Sequence, residues 1–128
     1  GVPVKVAAPR NLAAARFYTT TPAMFDGGYE ENFERLKRQV KWPQYSCDCY
    51  AYGLLALGWI DLVVERQLKA HDIVGLVPII TGAGGFAGDW NGNEIGLETD
   101  GTMIAASSKA LALEALAILQ AGKNGKAA

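Results

Sequence analysis

Apolar and polar residues follow one another in short blocks along this chain, and each block predicts one helix or strand. Five blocks are short, rich in β-branched or apolar residues and bounded by turn residues, which is typical of strands. They predict strands over residues 15–20, 40–42, 60–65, 86–90 and 102–106. The third block, Ile-Asp-Leu-Val-Val-Glu, is apolar enough for a strand that is buried on both faces. Pro43 is expected to end the second strand.

Helix-like blocks lie between the predicted strands. They predict helices over residues 29–38, 46–57, 72–83 and from Ser107 or Ser108 to Ala121. Gly58 is placed to end the second helix, and the third is expected to continue through Pro78. Strands that alternate with helices indicate a layered α/β domain. We expect one domain over residues 1–121, a tight turn at Asn91-Gly92 and a frayed tail over residues 122–128.

Composition and charge exclude several classes of function. The chain has 128 residues and a net charge of about −1, so neither nucleic acid nor an anionic membrane is indicated as a partner. The first eight residues lack the pattern of a signal peptide, and no apolar run is long enough to span a bilayer. Cys47 and Cys49 are only one residue apart, which favours two reduced thiols. The chain is therefore predicted to be a soluble, cytoplasmic protein.

Four acidic residues in the most apolar part of the chain are the candidates for chemistry. They are Asp48, Asp61, Glu65 and Asp72, and all lie near the ends of predicted elements. Carboxylates near a core are costly unless they are hydrogen-bonded, paired or bound to a metal ion. Their hard oxygen atoms suit magnesium (Mg²⁺), and no set of Cys and His residues favours a softer metal.

Each of these acids also has a purely structural explanation. Asp72 and Asp48 stand where helices begin, so either is suited to cap its own helix. Asp61 is expected to be a structural hydrogen-bond acceptor, and Glu65 would face water if it had no function. His71 has no second histidine or nucleophile in register and is not predicted to be a catalytic base.

Several segments at ordered spacing resemble the C-terminal half of the inositol monophosphatase family. They are Asp48–Gly58, Asp61–Glu65, His71–Gly75, Gly82–Gly85 and Asp89. The resemblance extends over nearly the whole chain, and the segment 48–52 is similar to histidinol-phosphatase-like members. The chain departs from the pattern of this family at two places. His71 stands where an aromatic residue is usual, and Ser46-Cys47 stands where two glycines are usual.

The resemblance implies a three-layer domain with a mixed sheet between helices, which forms half of a two-domain sandwich. It implies that Asp72 is a ligand of a catalytic Mg²⁺ and that Asp48, Glu65 and Ser46 bind the substrate. It places the remaining metal ligands and the catalytic residues in an N-terminal domain that this chain lacks, so the chain alone is expected to be inactive. Two carboxylates beside the substrate would suit a cationic amino alcohol phosphate such as histidinol phosphate.

Two other functions remain open from the sequence. The substrate would differ if the protein hydrolysed inositol phosphates or another sugar phosphate. Alternatively, the chain is a non-catalytic binding or interaction module from a truncated or split gene. If an absent domain normally covers one face, the isolated chain is expected to form homodimers or larger associations.

Overall fold

A computed structural model describes residues 1–121, which form a five-stranded mixed sheet with helices on both faces. The strands are β1 (Arg16–Tyr18), β2 (Trp42–Gln44), β3 (Leu62–Glu65), β4 (Phe86–Gly88) and β5 (Met103–Ala106). Their order across the sheet is β2-β1-β3-β5-β4. Strand β1 pairs in parallel with both β2 and β3, whereas β5 is antiparallel to β3 and to β4.

Five α-helices complete the domain. They are α1 (Glu30–Gln39), α2 (Tyr50–Ala56), α3 (Ala70–Ile73), α4 (Val77–Gly82) and α5 (Lys109–Gln120). Short 3₁₀ helices over Leu12–Ala14, Pro22–Phe25 and Val74–Leu76 link them to the strands. Helices α1 and α5 contact each other on one face of the sheet, and α2 and α4 contact each other on the opposite face. The predicted three-layer α/β domain is confirmed.

The central strands explain why the sheet has a core on each side. Successive residues of a strand point to opposite faces. In β3, Leu62 and Val64 join the cluster beneath α1 and α5, whereas Val63 joins the cluster beneath α2. All four residues of β3 and all four of β5 are buried. A strand covered on both faces is apolar along most of its length, which is why the run of residues 60–65 predicted β3.

Two proline residues shift predicted boundaries. Pro43 lies inside β2 rather than after it, because β2 is one of the two edge strands of the sheet and such strands tolerate a missing N–H donor. The predicted helix over residues 72–83 is interrupted: α3 ends at Ile73, a 3₁₀ turn follows, and α4 begins with Pro78 in its first turn. Proline is well tolerated in a first turn but not in a helix interior.

The segment before β1 packs across the ends of α2 and α4. The backbone N–H of Val6 donates to the carbonyl of Ala83 at 3.0 Å. At Gly58, where φ is +84°, a Cβ atom would lie 2.9 Å from the carbonyl oxygen of Lys5. Only glycine accommodates both the left-handed backbone and this close approach. The glycine predicted to end the second helix therefore also seats the N-terminal segment.

None of the helices within residues 1–121 is sufficiently long and apolar to cross a membrane. The predicted frayed tail over residues 122–128 lies outside the described residues.

Candidate active site

The parallel pairing of β1, β2 and β3 brings their carboxyl ends to one edge of the sheet. Thr20 follows β1, Ser46 follows β2, and Glu65 ends β3. This edge borders an open cleft of about 510 Å³. Its lining comprises Thr20, Met24, Asp48, Cys49, Tyr52, Glu65, Leu68, His71, Asp72, Ile73 and Leu76. Three of the four predicted site residues, Asp48, Glu65 and Asp72, thus lie around a single cleft, at the edge where ligands of α/β folds usually bind.

Glu65 is the buried carboxylate of this cleft. Only 4% of the residue is exposed, so the alternative in which it faces water is wrong. Oε1 accepts a hydrogen bond from the Tyr52 hydroxyl at 2.7 Å, and Oε2 accepts one from the Thr20 hydroxyl. Both donors are neutral, so they satisfy the buried oxygens without cancelling the charge of the carboxylate.

Tyr52 reaches Glu65 from the first turns of α2, where its ring packs in the core beneath the cleft. Burial raises the pKa of Tyr52 well above 10.0, and the neighbouring charge of Glu65 raises it further. Tyr52 therefore keeps its proton and stays a hydrogen-bond donor across the physiological range.

Asp48 lies on the exposed rim of the same cleft, in an unusual backbone conformation. Its φ is +45°, in the left-handed region that aspartate tolerates better than most residues. The alternative that it caps its own helix is wrong, because the N-cap of α2 is Cys49 and no side chain makes a capping bond there. Within residues 1–121 its carboxylate makes no hydrogen bond or ion pair, so its oxygens are available to a ligand.

Asp72 faces the cleft from the third position of α3. Its Oδ2 accepts the backbone N–H of Lys69 at 2.8 Å, so the residue helps to cap this helix, although the N-cap position itself belongs to Lys69 and not to Asp72 as the structural explanation predicted. Its Oδ1 lies 3.5 Å from Nε2 of the exposed His71 and accepts no backbone N–H from residues 1–121. Oδ2 is therefore used in capping α3, whereas the only polar contact of Oδ1 within that part of the chain is with the exposed His71 side chain. A role as a metal ligand stays a prediction.

Ser46 is the predicted site residue that does not line the cleft. It is exposed with a φ of +70°, and its backbone N–H donates to the carbonyl of Thr20 at 2.8 Å. This bond links the chain after β2 to the chain after β1. Its assignment to substrate binding stays a prediction.

Asp61 is a structural residue, as predicted. It is fully buried and accepts hydrogen bonds from the backbone N–H and the guanidinium of Arg16 at 2.8 Å each. Arg10 approaches its other oxygen at 3.3 Å. The hydrogen bond to Asp61 raises the pKa of Arg16 above its ordinary value. This acid ties the start of β1 to the start of β3 and lies outside the lining of the cleft.

Thr20 and Tyr52 are site residues that the sequence analysis did not single out. A hydroxyl on the apolar face of a predicted helix was the available signal for Tyr52, since buried tyrosine hydroxyls usually find a partner. Thr20 follows the first strand, but only the parallel register of β1 and β3 places it beside Glu65.

The cleft is strongly acidic. Three carboxylates line it and no Lys or Arg does, so His71 is the one basic side chain among its described lining residues. Within residues 1–121, no group of three or more His, Cys, Asp or Glu side chains is placed to hold a metal ion. The cleft therefore offers separate oxygen donors rather than a complete coordination sphere, and the two free cysteines, Cys47 and Cys49, add no metal cluster.

A mixed sheet between helices, with carboxylates at the carboxyl edge of its parallel strands, defines an α/β domain with a candidate binding cleft. The model of the inositol monophosphatase family matches residues 3–123, and the chain belongs to that family. The resemblance seen in the sequence is thereby confirmed at the level of the family.

Two proteins of similar sequence are phosphatases by name. The chain is 45% identical over 101 residues to the chloroplastic bifunctional phosphatase IMPL2 of Arabidopsis thaliana, covering 79% of this chain and 29% of the relative. It is 26% identical over 106 residues to a histidinol-phosphatase of Chlorobaculum parvum, covering 82% of this chain and 41% of the relative. The chain thus spans less than half the length of either.

Solved structures agree on the fold. An inositol monophosphatase from Zymomonas mobilis superposes with a TM-score of 0.87 at 36% identity, covering 91% of this chain and 46% of that one. The extragenic suppressor protein suhB from Bartonella henselae superposes with a TM-score of 0.82 at 21% identity, over 93% of this chain and 47% of the other. The second likeness shows the fold alone.

Proposed function

We propose that this chain is the substrate-binding half of a magnesium-dependent phosphomonoesterase that hydrolyses the phosphate ester of a small amino alcohol, with histidinol phosphate as the candidate substrate. The observation that carries the proposal is the cleft with three carboxylates and no Lys or Arg in its lining. A phosphate ester is an anion, and such a cleft would repel it unless cations screened the charge. A divalent metal ion and a cationic substrate group together would supply that screening.

The family and the relatives support the same chemistry. The family model covers nearly the whole chain, and the two relatives are described as a bifunctional phosphatase and a histidinol-phosphatase. Asp48 begins the segment that is similar to histidinol-phosphatase-like proteins, and its carboxylate, at the rim, makes no hydrogen bond or ion pair with the described residues. These observations favour an amino alcohol over inositol as the alcohol portion of the substrate.

Asp72 would hold the metal ion. Carboxylate oxygens are the ligands that Mg²⁺ prefers, and Oδ1 of Asp72 has no backbone partner. When bound, the ion would act as a Lewis acid on the phosphoryl oxygens. The near-octahedral coordination of Mg²⁺ needs ligands that residues 1–121 do not group together, and we assign them to a second, N-terminal domain.

Different residues of this chain would then bind different parts of the substrate. Glu65 would accept hydrogen bonds from the alcohol portion, since its oxygens are already fixed by Tyr52 and Thr20. Asp48, on the rim, would attract a positive charge from solvent, and Ser46 would shape the entrance beside it. A cytoplasmic location is also proposed, although the relative in Arabidopsis thaliana is described as chloroplastic.

The test uses the longest polypeptide that contains this chain. Asp72→Asn should lower phosphate release from histidinol phosphate by about 100-fold or more at saturating Mg²⁺, because a bound metal ion supplies several kcal/mol of transition-state stabilisation. Asparagine keeps an oxygen for the Lys69 N–H, so the helix cap should survive. Asp100→Asn is the matched control, since Asp100 also accepts a backbone N–H but lies outside the cleft.

Four outcomes separate the alternatives. Near-normal turnover by Asp72→Asn would leave Asp72 with its capping role alone. Faster turnover of inositol phosphate than of histidinol phosphate would move the substrate to the sugar phosphates. No phosphate release from any alcohol phosphate would favour a non-catalytic binding module, and release by the isolated 128-residue chain would remove the need for a second domain.

A further inference from the structure

The hydrogen bonds around Glu65 leave the site with a defined chemical preference. A carboxylate has about four lone-pair positions, and the Tyr52 and Thr20 hydroxyls occupy one on each oxygen. Each hydroxyl has a single hydrogen, and both are spent on Glu65. The remaining hydrogen-bonding capacity of these cleft-lining groups is acceptor capacity: the second lone-pair position of each Glu65 oxygen and the lone pairs of Thr20.

The two donors hold the carboxylate from different sides. Tyr52 lies on α2 and is 1% exposed, so its hydroxyl is fixed by the packing of the whole ring. Thr20 is half-buried and follows β1, the strand next to β3. A glutamate side chain has three rotatable bonds, and a bond to each oxygen from separate elements removes most of that freedom. The orientation of Glu65 is therefore set before any ligand arrives.

We propose that Tyr52 and Thr20 are positioning residues that determine substrate specificity, because they hold Glu65 as an acceptor-only group for a substrate atom bearing several N–H donors. A primary ammonium matches this requirement: one nitrogen can donate to Glu65 and to Thr20 at once and bring a compensating charge. This inference rests on the proposed function and adds to it the substrate group that the site recognises, a primary ammonium. Asp48 on the rim would reinforce the preference, since it is another acceptor in a cleft without Lys or Arg.

Removing one hydroxyl tests the role of Tyr52. In the full-length protein, Tyr52→Phe should raise KM for L-histidinol phosphate by about 10-fold or more, because a hydrogen bond to a charged group is lost from a buried site. The value of kcat should change by less than about threefold, since Asp72 and the metal ion it would hold, rather than Glu65, would bind the phosphoryl group. Tyr50→Phe is the matched control: it removes the same atom from the same helix, but Tyr50 is exposed and outside the cleft.

Substrate choice distinguishes positioning from a general loss of structure. The second substrate is the analogue of L-histidinol phosphate in which a hydroxyl replaces the amino group. Wild-type protein should prefer the amine, and Tyr52→Phe and Thr20→Val should each reduce that preference. In a Glu65→Gln background, Tyr52→Phe should have little further effect on it, because the group that Tyr52 orients has lost its charge.

Binding is measured separately from turnover. The NMR signal of the Glu65 carboxyl carbon should shift when L-histidinol phosphate is added, and Tyr52→Phe and Thr20→Val should weaken the apparent affinity. Thr20→Val provides the second variant if Tyr52→Phe disturbs the core. Unchanged KM and affinity in both variants, or an equal loss for both substrates, would overturn the inference. Hydroxyl-dependent binding of the amine without phosphate release would support the inference and overturn only the proposed function.

Discussion

Two acidic residues of the same strand segment show how partners decide the role of a buried charge. Asp61, just before β3, faces two guanidinium groups, whereas Glu65, at the end of β3, faces two neutral hydroxyls. Guanidinium groups neutralise a carboxylate, and breaking such a buried pair is costly. Hydroxyls satisfy the oxygens but leave the negative charge in place. Asp61 therefore stabilises the fold, and Glu65 remains able to attract a cation.

Tyr52 gives this arrangement a measurable dependence on pH. Burial and the charge of Glu65 raise the pKa of Tyr52 in the folded protein, whereas the unfolded chain releases the same proton near 10.0. Above about pH 10 the folded state thus binds more protons than the unfolded state, and the free energy of unfolding falls as pH rises. Below that pH both states keep the proton, and Tyr52 contributes no slope.

We therefore expect the free energy of unfolding to fall less steeply above about pH 10 in Tyr52→Phe than in the wild type. Urea denaturation at a series of alkaline pH values measures the two slopes. Tyr50→Phe controls for the loss of a tyrosine hydroxyl as such, because that side chain is exposed on the same helix. Equal slopes for wild type and Tyr52→Phe would show that Tyr52 does not carry this effect.

At the residue scale, the sequence predicted which acids matter better than it predicted their partners. The apolar surroundings single out four acids, Asp61 included, and the family resemblance assigns site roles to Asp48, Glu65 and Asp72, all of which line the cleft. The hydroxyls of Thr20 and Tyr52 carry no such signal, since both residues are common in buried and exposed positions. Their role depends on the register between distant segments, which local patterns do not contain.

Helix α5 illustrates what a single capping residue does for an element. The sequence left Ser107 and Ser108 as alternatives, and the structure selects Ser108, whose hydroxyl accepts the backbone N–H of Leu111 at 3.1 Å. Ser107 is buried beside it, and within residues 1–121 its hydroxyl has no hydrogen-bond partner. The Ser108 hydroxyl thus stabilises the folded state, whereas the buried Ser107 hydroxyl destabilises it.

Ser108→Ala should lower the free energy of unfolding by about 1 kcal/mol, since it removes an N-cap bond. Ser107→Ala should leave it unchanged or raise it by up to about 1 kcal/mol, because a buried hydroxyl without a partner is unfavourable. Chemical denaturation of the two variants beside the wild type gives both numbers. A loss of stability in Ser107→Ala that matches the loss in Ser108→Ala would contradict the assignment.

Elements were predicted well where periodicity and end signals agreed, and less well where proline intervened. Helix α1 lies within one residue of its predicted bounds, with Glu30 and Glu31 in its first turn and Lys37 and Arg38 in its last. Acidic residues at the start and basic residues at the end of a helix stabilise it by interacting favourably with the helix dipole. The prediction of one helix over residues 72–83 is wrong, because Pro78 does not lie inside a continuous helix but in the first turn of α4.

At the scale of the whole molecule, large apolar side chains remain exposed on the layer that contains α2. Leu57 and Trp59 flank Gly58 at the end of that helix and are 48% and 62% exposed. Adjacent apolar side chains of this size commonly mark a contact surface. They support the prediction that the isolated chain associates with itself.

We expect the sedimentation coefficient of the isolated chain to rise with protein concentration, and Trp59→Lys to reduce that rise, because it places a charge in the apolar contact. Leu113→Lys is the control, since Leu113 is similarly exposed but lies on α5 in the opposite layer. A coefficient that stays constant up to high concentration would contradict self-association. An equal effect of the two variants would move the contact away from Trp59.

The strand order has a consequence for how the molecule acquires its structure. Neighbouring strands β1 and β2 are separated in sequence by α1, and β3 and β5 are separated by two helices and β4. Within residues 1–121, no pair of adjacent strands is joined by a tight hairpin. Each strand pairing must therefore close a long loop, and the entropy cost of that closure precedes the stabilising contacts between the strands. We expect slow, highly cooperative refolding in which the cleft forms late, because Thr20, Tyr52 and Glu65 meet only after β1 and β3 have paired.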